Sequence, residues 1–188
     1  MTQYLETLNV GDTIKISGPA VLFYYGGNGS LKLIFNVANI KVKKLGLICG
    51  GAGITVFYPL IRSILENPED KTQVTLLFAN NTEEDIQFKA ELDEACKDPR
   101  IKVHYTLVTA PDGWKGHTGF VNKKMIQEMM PQAGPETFMW VCGPPEMEGA
   151  VAGQLNELKY PRHRRVIASW WSSFIRITIR SILFCSYS

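Results

Sequence analysis

A chain of 188 residues with 45% hydrophobic content is long enough for one well-buried domain, or for one domain and part of another, and excludes disordered or collagen-like states. The formal charge of +2 hides an asymmetry: all 18 acidic residues lie at or before Glu157, whereas five arginines follow Tyr160. The body before that point is net acidic, which argues against nucleic-acid binding. Cys49, Cys96, Cys142 and Cys185 are isolated, with no Cys-x-x-Cys pair and no histidine cluster. They read as reduced thiols, not as disulfides or metal ligands. The start, MTQYLETLN, lacks a charged segment followed by an apolar one, so no secretory signal is visible and a cytosolic setting is expected.

In chain order, "VGDTIKISGPA" and "VLFYYGGNGSLKLIF" read as β-strands broken by glycine turns. Two or three strands make an incomplete sheet, so residues 1–42 read as the last part of an antiparallel barrel, or as a short β-extension on the main domain. From Leu45 short apolar runs alternate with helical patterns, the signature of a parallel sheet covered on both faces. Strands are predicted at residues 45–49, 74–79, 101–107 and 138–142. Helices are predicted from the glycine turn to about Leu65, over 85–96, over 122–130, and from Pro145 to about Leu158. The α/β domain thus occupies residues 43–160. The segment 161–188 contains no acid, and its apolar stretch is interrupted by Arg176 and Arg180, so it falls short of the ~20 apolar residues that a membrane span needs. It reads as a basic, aromatic-rich tail making a peripheral membrane contact, or as an unrelated C-terminus joined to the domain.

"ICGGAGIT", residues 48–55, places Gly50, Gly51 and Gly53 where a strand turns into a helix. Glycines let the backbone approach a ligand there, usually a phosphate, although the same pattern also makes a tight connection with no ligand. "WVCGPPEM", residues 140–147, repeats the logic at the end of the fourth strand. Ligands of open parallel sheets sit outside the strands' carboxyl ends, so two glycine turns there face one crevice.

These pieces, with GDTIKISGP, FANNTEEDI, YTL, GFVN and CGPPEM in this order, resemble the NADH-cytochrome b5 reductases of the ferredoxin reductase superfamily over residues 1–160. The resemblance implies an FAD-binding barrel followed by an NADH-binding α/β domain, with electrons passing from NADH through FAD to cytochrome b5 or a similar haem protein. It implies a cytoplasmic-facing enzyme associated with the endoplasmic reticulum or the mitochondrial outer membrane. Met1 and Thr2 match the part of the family motif that holds the FAD pyrophosphate, and Thr55 a flavin-contacting threonine. Gly50, Gly51 and Gly53 would line the NADH pyrophosphate. Cys142, the candidate catalytic residue, would lie with Gly143 and Pro144 beside the nicotinamide, and Met147 would wall the same pocket. On the residues alone Cys142 reads as a buried strand-end thiol.

The chain departs from the family at several points. The arginine-x-tyrosine segment that clamps the flavin belongs to an earlier part of the barrel than residues 1–42 supply, which implies weak flavin retention. Ala52 replaces a threonine that could reach the flavin, and Val56 a proline. Val108 stands where an acid favours NADH over NADPH, which weakens that preference. Two expectations therefore stand: a flavin-dependent reductase, or a non-catalytic nucleotide-binding or membrane-associating remnant of one.

Overall fold

The computed structural model describes residues 6–13, 23–33 and 36–167. Met1, Thr2, most of the first expected barrel strand and the tail from residue 168 lie outside the described residues. Strands β1 (Phe23–Tyr25), β2 (Ser30–Leu33) and β3 (Asn36–Lys41) form an antiparallel sheet in that order. The hairpin turn between β1 and β2 takes positive φ at Gly27, Asn28 and Gly29, which favours these residue types. At Gly29 a Cβ would lie 1.8 Å from the carbonyl oxygen of Val42. Only glycine therefore lets the hairpin close on the chain entering the next strand.

The second sheet has six parallel strands. In chain order come β4 (Lys44–Gly50), α1 (Ile54–Glu66), β5 (Gln73–Asn80), α2 (Lys89–Ala95), β6 (Ile101–Leu107), β7 (His117–Thr118), α3 (Lys123–Met129), β8 (Thr137–Cys142), α4 (Pro145–Glu157) and β9 (Arg165–Ile167). Their spatial order is β7-β6-β5-β4-β8-β9, a doubly wound α/β arrangement. The alternation of side chains along each strand divides the core. Leu45, Leu47, Cys49, Leu76 and Phe78 pack on Phe57, Ile61 and Ile64 of α1 and Leu92 of α2. Ile48, Leu77, Met139 and Val141 pack on Ile126 of α3 and on Val151 and Leu155 of α4. Strands buried on both faces explain why the sequence shows continuous apolar runs there.

The four expected strands are present, lengthened by no more than a residue at either end. Helix α2 is shorter than the expected 85–96. Asp85 is spent on the preceding turn, where its carboxylate accepts from the Thr82 N–H and hydroxyl. Phe88 then adopts φ +57 and stacks on Tyr58 of α1, with ring centroids 4.3 Å apart, so regular helix starts only at Lys89. Asn122, placed inside the helix by the expected span 122–130, instead caps α3 by accepting from the Met125 N–H at 3.1 Å, a role its side chain suits. The sheet also runs past Tyr160, where the sequence reading ends the α/β domain. Residues 165–167 pair in parallel with residues 139–141, and Val166 and Ile167 pack on opposite faces of the core.

The two sheets are joined as well as adjacent. Leu31 and Val42 are buried in the same apolar cluster as β4 and α1. Beside them the Tyr25 hydroxyl donates to Asp70 at 2.6 Å, and Asp70 also accepts the Asn28 N–H at 2.8 Å.

Candidate functional site

The sheet's winding reverses between β4 and β8. The helix after β4 covers one face and the helix after β8 covers the other, so the two connections diverge at the carboxyl ends and leave a crevice. Residues Cys49 and Cys142 are register partners across this seam. Immediately beyond them the two glycine turns touch. A Cβ on Gly143 would lie 3.2 Å from the Gly50 nitrogen, and one on Gly53 only 2.2 Å from the Cys142 carbonyl oxygen. A Cβ on Gly50 would meet Met147 Sδ at 2.8 Å and Pro144 Cδ at 3.0 Å. Gly50, Gly53 and Gly143 are thus explained by packing of turn against turn. Gly51 is different: it holds φ +50, and a Cβ there would meet nothing within 4 Å.

Gly50 and Gly51 form one wall of a cleft of about 720 Å³, and Pro144 and Met147 another. Opposite stand Val108, 43% exposed, and Phe120, 78% exposed, both unusually open for apolar side chains. The charged residues lining the cleft are Asp85 and Glu146; no lysine or arginine is among them. A 3-10 turn, Gly51–Gly53, leads into α1, and the Ile54 N–H bonds back to the carbonyls of Gly51 and Ala52. Neither that turn nor α4 has a side-chain cap at its N-terminus, so the N–H groups at the start of the turn are not consumed by side chains. Asn80, at the carboxyl end of β5 and 6% exposed, has both amide atoms buried without a partner among the described residues.

Of the residues singled out from sequence, Gly50, Gly51, Pro144 and Met147 line the cleft. Cys142, Gly143 and Gly53 are buried behind its wall. Ala52 and Thr55 lie on the exposed side of the turn of residues Gly51–Gly53, where the Thr55 hydroxyl donates to the Ala52 carbonyl at 2.8 Å. Both seam thiols are held protonated. Burial, then the charge of Glu148, pushes Cys142 up to about 11; burial, then Cys142, raises Cys49. Phe120, Asp85, Glu146 and Asn80 were not named from sequence as site residues. Asp85 and Phe120 reach the cleft through the loops after β5 and β7, which carry no periodic pattern, while Asn80 ends β5 and Glu146 stands in the first turn of α4.

The profile of the oxidoreductase NAD-binding domain matches residues 47–153. The chain belongs to that family. This NAD-binding domain is also similar to curated proteins. It is 41% identical over 171 residues to NADH-cytochrome b5 reductase 3 of Rattus norvegicus, covering 87% of this chain and 57% of that one. It is 41% identical over 169 residues to NADH-cytochrome b5 reductase 2 of Mus musculus, covering 86% and 61%. Among solved structures, the cytochrome b5 reductase domain of Ulva prolifera nitrate reductase superposes with a TM-score of 0.81 at 35% identity, covering 89% of this chain and 64% of that one. The resemblance seen in the sequence is therefore matched by independent comparison. The chain spans a little over half the length of these curated relatives.

Proposed function

We propose that the chain binds NADH in the cleft beside Gly50 and Gly51, and that with FAD held at the antiparallel sheet it passes electrons to cytochrome b5 or a similar haem acceptor. The observation that carries this reading is the meeting of two glycine turns at the reversal of the sheet, with open space above Gly51 where a Cβ would stand. That space, next to the N–H groups of the turn Gly51–Gly53, which no side chain caps and which leads into α1, suits a pyrophosphate, which such a helix end attracts without a cation. Exposed Phe120 and Val108 offer an apolar wall for an adenine ring, and the turn of residues 142–144 with Met147 a surface for the nicotinamide. The cofactors supply the redox chemistry: hydride from the nicotinamide to the flavin, and single electrons onward. The chain's own residues bind, orient and exclude water. In this reading Cys142 is a neutral, soft sulfur behind the nicotinamide end.

On the flavin side, Thr55 is the described residue that fits: it is exposed, and its hydroxyl oxygen keeps lone pairs after donating to Ala52. Met1 and Thr2 complete the set by resemblance, and Ala52 contributes only a methyl group. The reading assigns residues 1–42 to the flavin-binding barrel, residues 43–167 to the nucleotide domain, whose sheet takes in β9, and the chain beyond β9 to a tail in peripheral contact with the cytoplasmic face of the endoplasmic reticulum or mitochondrial outer membrane. Among the described residues no helix is long and apolar enough to cross a membrane.

Calorimetric titration with NAD+ and NADH tests the nucleotide site, and reduction of cytochrome b5 by NADH after reconstitution with FAD tests the activity. Saturable binding without electron transfer would favour the non-catalytic remnant. Absence of binding would overturn both.

A further inference from the structure

Glu148 lies within the first turns of α4, where an acid is ordinary if it faces water. Its side chain is instead only 4% exposed. Oε1 accepts the Gly143 N–H at 3.1 Å, so the carboxylate reaches back to the turn that precedes its own helix. It makes no ion pair among the described residues. The titratable groups facing it across the seam are the Cys142 thiol of β8 and, beyond that, the Cys49 thiol of β4. Glu146, the other acid in the first turn of α4, is exposed on the cleft side. A carboxylate buried without a cation is strongly unfavourable, and a surface serine or aspartate could cap the helix without that cost. Helix capping alone therefore does not explain an acid kept inside.

What the burial does achieve is control of one turn. Gly143 lies against Gly50, and Met147 lies against both. A shift of the Gly143 N–H therefore displaces the cleft wall on the two sides of the seam together.

We propose that Glu148 is a positioning residue of the cleft: its carboxylate fixes the turn of residues 142–144 on which the nicotinamide end of a bound dinucleotide rests. The proposal rests on the nucleotide-binding reading above.

Two variants of the full 188-residue chain test it. Glu148→Gln keeps the reach and an oxygen acceptor for the Gly143 N–H; Glu148→Asp is one methylene too short. In titration with NAD+, Glu148→Gln stays within about twofold of the unmodified chain, and Glu148→Asp weakens by about fivefold or more. Unchanged NAD+ affinity in Glu148→Asp, or an equal loss in Glu148→Gln, overturns the positioning role. An unmodified chain that binds no NAD+ overturns the nucleotide reading and the positioning role with it.

Discussion

Tyr25→Phe removes one oxygen atom from the junction of the two sheets, and the structure sets the size of the effect. The hydroxyl donates to Asp70 Oδ2 at 2.6 Å, lies 2.8 Å from the Thr72 hydroxyl, and accepts the Gly29 N–H at 3.1 Å. A hydrogen bond to a charged group contributes about 1.5–3 kcal/mol, and a buried donor left without a partner adds about 1–3 kcal/mol. Because the bonds share one oxygen they do not add in full, and we expect a loss of about 3 kcal/mol, or roughly 6–12 °C in Tm for a chain of this size. The pH dependence has a defined sign. Burial would raise the Asp70 carboxyl, but hydrogen bonds from Thr72, Tyr25 and Asn28 bring it below its usual value. Its contribution is therefore present above about pH 4 and is lost as pH falls. Burial, then the bond to Asp70, pushes Tyr25 up to about 12. Its contribution is complete below about pH 10, the unfolded value, and disappears as pH rises through about 12. Urea denaturation of both proteins, followed by circular dichroism between pH 3 and 11, measures this difference. A gap below about 1 kcal/mol at pH 7, or one that widens above pH 10, would refute the clamp.

Gly53→Ala drives a Cβ to 2.2 Å from the Cys142 carbonyl oxygen; overpacking against backbone is expected to cost about 1–3 kcal/mol and to weaken NAD+ binding, and an unchanged Tm would contradict the packing. Phe120→Ala removes an exposed ring, so stability should change by no more than about 0.5 kcal/mol while NAD+ affinity falls by about fivefold or more; equal affinities would remove Phe120 from the nucleotide site. Val108→Asp adds an acid to a cleft that already holds Asp85 and Glu146, and the ratio of NADPH to NADH dissociation constants should rise by about tenfold, as one ribose bond gained by NADH and one repulsion of the 2′-phosphate of NADPH require. An unchanged ratio would place position 108 away from the ribose.

The parallel strands and their flanking helices were legible because each carries a local cause: continuous apolar runs for strands buried on both faces, Asn122 before α3, and Pro145 at the first position of α4. The glycine turns were legible as turns, but their reasons were not. Gly53 and Gly143 answer to contacts with residues about 90 positions away in sequence, which no local pattern reports. Helix α2 was drawn too long because Asp85 reads equally as a helix start and as the anchor of the Thr82 turn. Strand β9 was missed because an arginine-rich segment with no acid does not look like part of a core. Val166 and Ile167 suffice, since an edge strand needs only alternate apolar contacts on its two faces.

The cleft's lining also alters the argument about cofactor choice. From sequence, Val108 in place of an acid weakens the expected preference for NADH. Folding brings Asp85 and Glu146 into the same cleft and brings no lysine or arginine among its lining residues. A 2′-phosphate would enter a site with acidic side chains and no cation to pair with, whereas on the proposed reading a pyrophosphate at the turn Gly51–Gly53 would meet N–H groups that no side chain caps, an interaction that does not depend on a basic residue. One anion is therefore accommodated by backbone, and a second has nothing to meet it. On the proposed reading, valine at position 108 forgoes a hydrogen bond to the ribose without supplying the positive charge that NADPH would require. Selectivity for NADH is then expected to persist through the field of the cleft as a whole, weaker than with an acid at 108 and sensitive to ionic strength.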